Sequence, residues 1–369
     1  MLTPKVLHGD VAVLRPFRRS DTDDIVAGCS DPLTQRFLPL LPSPYTAEDA
    51  RWWIEEGASN GFAAGGAGYA VADPVTDRLL GAVGINRVAH GSGEIGYWIA
   101  PWARGRGAAT DATRTLAREA FAHGVQRLDL HTEPENVASQ RVAIAAGFTR
   151  EGVRRSGGLG RDGARHDQIV WARLAGDPEG PTPRRLPDLP GGELTDGVVR
   201  LRPVGSDDTD DVFALNSLPE VVASSVPPTP PKREWIARRL GREQASWLAG
   251  DRAHMVIHDA KTDAFAGDIG LFSLEPDTGQ GMIGYSVMPA WRGRGYATRA
   301  ARLISAWAFE HAGIARLIAG TAPDNVGSQR VLERAGFHRE AYQRSRLPGP
   351  DGTRIDDLLY ALLPDDPRS

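Results

Sequence analysis

Two stretches of this 369-residue chain carry residue types suited to holding an anion, and they are nearly the same stretch. Residues 94–110 read Glu-Ile-Gly-Tyr-Trp-Ile-Ala-Pro-Trp-Ala-Arg-Gly-Arg-Gly-Ala-Ala-Thr. The opening is rich in β-branched and aromatic residues without helical spacing, which predicts a strand ended by Pro101. After a run of small residues, an alanine-rich pattern from Thr110 to Phe121 predicts a helix. Strand, glycine turn and helix in that order set unpartnered backbone N–H groups at the positive end of a helix dipole, where a phosphate fits. Arg104 and Arg106 add charge to the same turn.

Residues 283–298 repeat the design as Ile-Gly-Tyr-Ser-Val-Met-Pro-Ala-Trp-Arg-Gly-Arg-Gly-Tyr-Ala-Thr, with Gly295 standing 188 positions after Gly107. One such turn could be an ordinary connection. A repeat of both the strand and the loop is not chance.

The elements around the two turns repeat as well. Leu14-Arg15-Pro16 with Asp21 and Asp24 recurs as Leu201-Arg202-Pro203 with Asp208 and Asp211. Each opening predicts an alternating strand and an acidic helix start. Proline-broken segments and tryptophan-containing helical patterns follow (Trp53-Ile54 and Trp235-Ile236). Hairpins are then expected from Tyr69–Asp73 with Leu80–Ile85 and from Met255–Asp259 with Phe265–Leu271. Beyond the central helices come short strands at 127–131 and 316–319. Then come Glu135-Asn136-Val137-Ala138-Ser139-Gln140-Arg141 and Asp324-Asn325-Val326-Gly327-Ser328-Gln329-Arg330, each closed by Gly-Phe. Final strands are expected at 166–174 and 355–363. Between the halves, residues 175–192 are rich in proline and glycine and predict a linker. The expected organisation is residues 1–174, a linker over 175–192, and 193–369. Two copies of about 175 residues argue for duplication, since solenoid periods run roughly 20 to 50.

Composition narrows the function. Apolar content of 41% and charged content of 24% fit a globular protein. A net charge of −4 offers no basic field for nucleic acid or a membrane surface. Only Lys5, Lys232 and Lys261 are lysines, so no Schiff-base lysine lies near either turn. Cys29 stands alone, which leaves no disulfide framework and no thiolate metal site. No apolar leader or membrane-length run is read, and a cytoplasmic protein without a metal is expected.

Arg104-x-x-Gly107-x-Ala109 and Arg292-x-x-Gly295-x-Ala297, with Asn-x-x-Ser-x-Arg and Gly-Phe after each, resemble the GCN5-related N-acetyltransferases (GNAT). The Asn-x-x-Ser-x-Arg segment, the Gly-Tyr pair before each turn, and Asp167 and Asp356 before the last strands are similar to the RimJ/RimL-type branch. The resemblance covers nearly the whole chain, twice. It implies an α/β (α+β) fold of two tandem domains, each a mixed, mostly antiparallel sheet flanked by helices and splayed after the strand at 94–100. Acetyl-CoA would enter the splay. The implied cofactor-binding residues in the first half are Ile99, Arg104, Gly105, Arg106, Gly107, Ala108, Ala109, Thr110 and Asn136. In the second half they are Val287, Arg292, Gly293, Arg294, Gly295, Tyr296, Ala297, Thr298 and Asn325, with each asparagine binding the pantetheine arm or capping its helix. A dinucleotide fingerprint fails, because Thr110 stands where the third glycine belongs. No Gly-Lys-Ser/Thr occurs for a Walker loop.

Amide formation from a thioester needs a neutral amine, a place for the oxyanion and a proton for the thiolate. A free α-amine, with a pKa of roughly 8, is already about a tenth neutral near pH 7, whereas a lysine at about 10.4 needs roughly 3 units of help. A modest base therefore suits an α-amine. Glu94 is the base candidate in the first half; Met282 takes that position in the second. The tyrosine that many relatives carry seven residues beyond the asparagine is replaced by Ala143 and Leu332. Ser139 and Ser328 are the candidate donors to the sulfur, with a helix-start role as the alternative. The expectation is a tandem acetyl-CoA-dependent N-acetyltransferase acting on a small-molecule or protein N-terminal amine, with a homodimer compatible. The alternatives are an acyl-CoA-binding protein whose halves have lost turnover, and a structural partner protein.

Overall fold

The computed structural model describes residues 2–86, 88–349 and 352–367. The chain divides into two compact units, residues 1–183 and 184–369. In the first unit the strands are β1 (Leu7–His8), β2 (Val13–Arg15), β3 (Ala67–Ala72), β4 (Leu79–Ile85), β5 (Ser92–Ile99), β6 (Arg127–Thr132), β7 (Thr149–Leu159) and β8 (Arg165–Leu174). They form one sheet in the order β1-β2-β3-β4-β5-β6-β8-β7. The helices are α1 (Thr22–Cys29), α2 (Pro32–Phe37), α3 (Ala47–Trp52), α4 (Ala58–Ala63), α5 (Ala108–Ala122) and α6 (Val137–Ala145), with a π-type turn at Trp53–Gly57 joining α3 to α4.

The second unit has strands β9 (Leu194–Thr195), β10 (Val199–Pro203), β11 (Ala253–Asp259), β12 (Phe265–Glu275), β13 (Gln280–Val287), β14 (Arg316–Thr321), β15 (His338–Pro348) and β16 (Arg354–Leu362). Its helices are α7 (Thr209–Asn216), α8 (Pro219–Ser224), α9 (Arg233–Leu240), α10 (Glu243–Ala249), α11 (Tyr296–His311) and α12 (Val326–Arg334). The sheet order β9-β10-β11-β12-β13-β14-β16-β15 repeats that of the first unit.

Every pairing is antiparallel except β5 with β6 and β13 with β14. Those parallel pairs are short. Strand β5 meets β6 only from Ser92 to Glu94, and β13 meets β14 only from Gln280 to Met282. Beyond Glu94 and Met282 the strands part, which is the splay the sequence resemblance implies. The parallel step exists because a helix, α5 or α11, crosses between the two strands.

Each sheet is covered on both faces. In the first unit Leu116, Ala117 and Ala120 of α5 are fully buried, and Ile25, Cys29 and Ala50 form a cluster with Ala70, Leu79 and Trp98. The repeated Leu-Arg-Pro…Asp signal is structural. Arg15 grips Asp21 with two bonds of 2.8 Å, and Arg202 grips Asp208 in the same way. Strands β7 and β15 are absent from the sequence reading. Both are broken by a bulge where Ser156 and Ser345 take positive φ, and the carboxylates of Asp167 and Asp356 accept the N–H of those serines at 3.0 and 2.7 Å. Such interruptions hide the two-residue alternation.

The proline-rich segment 175–192 contains no strand and only a single 3-10 turn at Pro190–Gly192. Its parts are packed: the Thr182 N–H donates to the Ile144 carbonyl, while Leu186 and Leu189 are buried in the second unit's core.

Candidate active site

The two glycine turns take the same shape. Gly105 and Gly107 have φ of 75° and 81°, and Gly293 and Gly295 have φ of 72° and 84°. Only glycine adopts these without strain. Gly107 and Gly295 precede the first residues of α5 and α11, and neither helix has a side-chain cap. The first-turn N–H groups are thus left to an anion. A β-carbon built at any of the four glycines would meet nothing within 4 Å, so the turn is open on its outer side.

The arginines divide their work. Arg104 Nε donates to the Ile99 carbonyl at 3.2 Å, and its guanidinium is held by Asp31 and by Thr34 Oγ1 at the start of α2. Arg292 does the same in the second unit, with Nε on the Val287 carbonyl at 2.9 Å and its head on Glu220 of α8 at 2.7 Å. These two shape the turn and tie it to a helix. Arg106 and Arg294 are exposed, and Arg294 lies over the Trp291 ring. Tyr296 is buried, bonded to Asp259 and packed on Trp291, so its side chain braces the start of α11.

In the second unit a groove of about 600 Å³ runs along the parted edge of β13. Val287, Arg292, Gly293, Gly295, Tyr296, Ala297, Thr298, Asn325 and Ser328 line it, together with Tyr285, Ser286, Arg330 and Arg334. Asn325 in its wall accepts the Ser328 N–H on its side chain at 3.0 Å and caps α12. Asn136 caps α6 through the Ser139 N–H at 3.1 Å. Of the two roles open to these asparagines, capping is thus present.

Each serine meets a phenol. Tyr97 Oη lies 2.8 Å from Ser139 Oγ, and Tyr285 Oη lies 2.9 Å from Ser328 Oγ. Burial pushes both phenols up, that of Tyr285 to about 12, so they remain neutral. The tyrosines come from β5 and β13, not from the helical position that Ala143 and Leu332 leave empty.

The opposite face of the splay differs between the units. Glu94 is half-exposed and pairs across the strands with Asp129. Two residues farther along β6, His131 places Nδ1 3.4 Å from Glu94 Oε1. The imidazole holds the Glu94 carboxyl below its ordinary value, and that carboxylate raises the imidazole. Glu133, just past β6, is pushed up by burial. In the second unit Met282 pairs with Ile318, and Gly320 and Ala322 follow at the positions of His131 and Glu133. The space that a side chain at Gly320 would need is filled by the Asp357 carboxyl of β16, which is buried and pushed up by that burial. Phe272 closes over Gly284, within 3.1 Å of a β-carbon built there, whereas the matching Gly96 faces open space. The first unit thus has an open polar floor, and the second a floor closed by Phe272 and the Asp357 carboxyl.

The family model of the acetyltransferase (GNAT) domain matches the chain twice, over residues 12–149 and 199–338. The chain belongs to the GNAT acetyltransferase family. Among curated proteins, it is 35% identical over 131 residues to a probable N-acetyltransferase, YjcK, of Bacillus subtilis, covering 35% of this chain and 72% of that protein. An uncharacterized N-acetyltransferase, p20, of Bacillus licheniformis is 26% identical over 41% of this chain and 86% of its own length. Among solved structures, Mycobacterium smegmatis RimJ in complex with CoA-disulfide is 23% identical, covering 47% of this chain and 86% of that one, with a TM-score of 0.42.

Both GNAT domains therefore keep the turn, the helix-capping asparagine and the serine that sequence reasoning singled out. Sequence reasoning missed Tyr97 and Tyr285 as partners of the serines, and His131 as the partner of Glu94. The Gly-Tyr pair before each turn was visible, but nothing in it indicated a serine 42 or 43 positions away. His131 carried no signal at all, because its significance lies in the splay. Cys29 is buried and its thiol is pushed up to about 12 by burial, which removes it as a nucleophile. No helix among the described residues is long and apolar enough to cross a membrane.

Proposed function

We propose that this GNAT protein is an acetyl-CoA-dependent N-acetyltransferase in which the first domain carries turnover on a primary amine. The second domain binds the same cofactor without matching that rate. The single observation supporting this is the asymmetry of the splay: Glu94, His131 and open space at Gly96 in the first domain, against Met282, Gly320 and a Phe272-covered Gly284 in the second.

Acetyl-CoA supplies the activated acetyl group. The chain's own residues supply the rest. The N–H groups after Gly107 take phosphate charge. A backbone N–H on the free edge of β5 beyond Glu94 is available for the thioester oxygen as it gains charge. The polar floor of β5 and β6 receives the proton of the attacking amine. On the other side Ser139, backed by Tyr97, donates to the departing sulfur. The second domain keeps the turn and the Tyr285–Ser328 pair, which supports binding, and lacks the Glu94–His131 pair, which supports slow or absent turnover. The modest base favours an α-amine, at the end of a peptide or protein or on a small molecule.

The test is thiol release from acetyl-CoA in the presence of a panel of amines, run beside acetyl-CoA binding. Amine-dependent thiol release is the expected result. Tight binding with no amine-dependent release from any acceptor favours the second reading, an acyl-CoA-binding protein with both halves silent.

A further inference from the structure

We propose that His131 is the group that takes the proton from the attacking amine, with Glu94 as its positioning partner. This rests on the acetyl-transfer reading given above and names the base within that site.

Strand geometry places the imidazole. Glu94 is the last residue of β5 to pair with β6, opposite Asp129, and side chains on paired parallel strands at the same level share a face. His131 lies two residues farther on, so it projects from the same face at the point where β5 has moved away. It therefore stands at the head of the splay, on the face that carries Gly96, where a β-carbon would meet nothing within 4 Å. Glu94, reaching forward from the last pair, meets Nδ1 at 3.4 Å. That contact fixes the tautomer, leaving Nε2 as the acceptor when the ring is neutral. Carboxylate, imidazole and an open site in sequence form the arrangement of an oriented base.

The proton affinities favour the ring. The carboxyl of Glu94 lies below its ordinary 4.5, because His131 bonds to it. An α-ammonium at roughly 8 is therefore more than about three units away. The His131 ring lies above its ordinary 6.5, because Glu94 bonds to it, and so is the nearer of the two to the amine. A base close to its substrate in proton affinity is the effective one. The charged groups around the ring are Glu94 from β5, Asp129 on its own strand and Arg154 from β7. Asp129 is already engaged by Arg127 Nε at 2.8 Å, so Glu94 is the partner that sets the ring.

The second domain differs at both positions. It loses both partners together, with Met282 for Glu94 and Gly320 for His131.

The experiment is the pH profile of kcat/KM for the full chain, with acetyl-CoA and an unblocked alanyl peptide as acceptor. The parent, H131Q and E94Q are compared, and each is checked for retained acetyl-CoA binding. The parent should show an acid limb above pH 6.5. H131Q should lose that limb and at least about a hundredfold in rate, the usual weight of a general base. E94Q should keep the limb but move it to lower pH, because the ring loses the carboxylate that raises it. The reverse pattern, with the limb lost in E94Q and kept in H131Q, makes Glu94 the base and overturns the proposal. The imidazole is also followed by NMR titration, which does not depend on turnover. A His131 ring that titrates at or below 6.5 in the parent, or is unmoved in E94Q, overturns it as well. A parent that releases no thiol with this or any other amine removes the acetyl-transfer reading, and this inference with it. A parent that turns over with a limb untouched by H131Q removes this inference alone.

Discussion

Tyr97 Oη stands 2.8 Å from Ser139 Oγ and 3.2 Å from the Ser139 carbonyl, and Tyr285 repeats both contacts with Ser328. Two hydroxyls that can each donate or accept form a short relay, one end buried among strand residues and the other on the first turn of a helix. The relay is present in both domains, whereas the Glu94–His131 pair across the splay is present only in the first.

The first expected outcome concerns that relay. A thiol with a pKa of roughly 8.5 is a tolerable leaving group in water, so a proton donor adds little more than one hydrogen bond, about 0.5–1.5 kcal/mol. Ser139→Ala should slow turnover by a few-fold to about tenfold with acetyl-CoA binding intact. Tyr97→Phe should cost about as much, and the double variant little more than either, since the two act in series. A loss above a thousandfold in single-turnover rates would give the serine a larger part than this.

The turns should bind independently. Calorimetry is expected to find two acetyl-CoA sites per chain. Gly107→Asp should abolish one and Gly295→Asp the other. A carboxylate about 4 Å from a phosphate costs on the order of 4 kcal/mol at an effective dielectric constant of 20, before screening, enough to weaken either site tenfold or more. One site, lost with Gly107→Asp and indifferent to Gly295→Asp, would contradict this.

Turnover should follow the first domain. Gly107→Asp is expected to remove most amine-dependent thiol release, while Gly295→Asp leaves at least about half of it. Equal losses in steady-state assays would show that the Met282 site works as well as the Glu94 site.

Stability should fall on the alkaline side through His254. Burial opposes charge on this imidazole, but Asp268, 3.2 Å from Nε2, and Glu243 outweigh it and hold the ring up to about 9. A pKa raised on folding stabilises fully below the unfolded value of about 6.5, and that contribution fades as pH rises through 9. Thermal unfolding between pH 6 and 10 should lose at most about 3 kcal/mol from this source. H254Q should be less stable at pH 6 and should flatten the decline.

Arg161 is expected to set access for the acceptor. From the turn between β7 and β8 its guanidinium donates to the carbonyls of Gln35, Leu38 and Leu41, at 3.4, 3.3 and 2.9 Å, and so holds the segment after α2. Arg104 holds the other end of α2 through Asp31. Arg161→Ala should raise the acceptor KM a few-fold while acetyl-CoA affinity is unchanged. An unchanged KM would mean the acceptor does not touch that segment.

Much of this protein was determined by sequence alone, and for local reasons. The duplication, the two glycine turns and the helices after them are written in contiguous residues whose backbone preferences need no distant partner, as with Gly105, Gly107, Gly293 and Gly295. The asparagine caps likewise act over three residues. Strands β7 and β15 escaped because their bulges break the alternation. Tertiary structure alone decided the chemistry of the site. The parting of β5 from β6 after Glu94 joins residues 37 positions apart in Glu94 and His131, and 42 apart in Tyr97 and Ser139. It also decided that Arg104 holds a helix and that Phe272 shuts the second floor. Side chains so far apart acquire a joint proton affinity only when the sheet sets their distance, and no pattern along the chain encodes a distance across a splay.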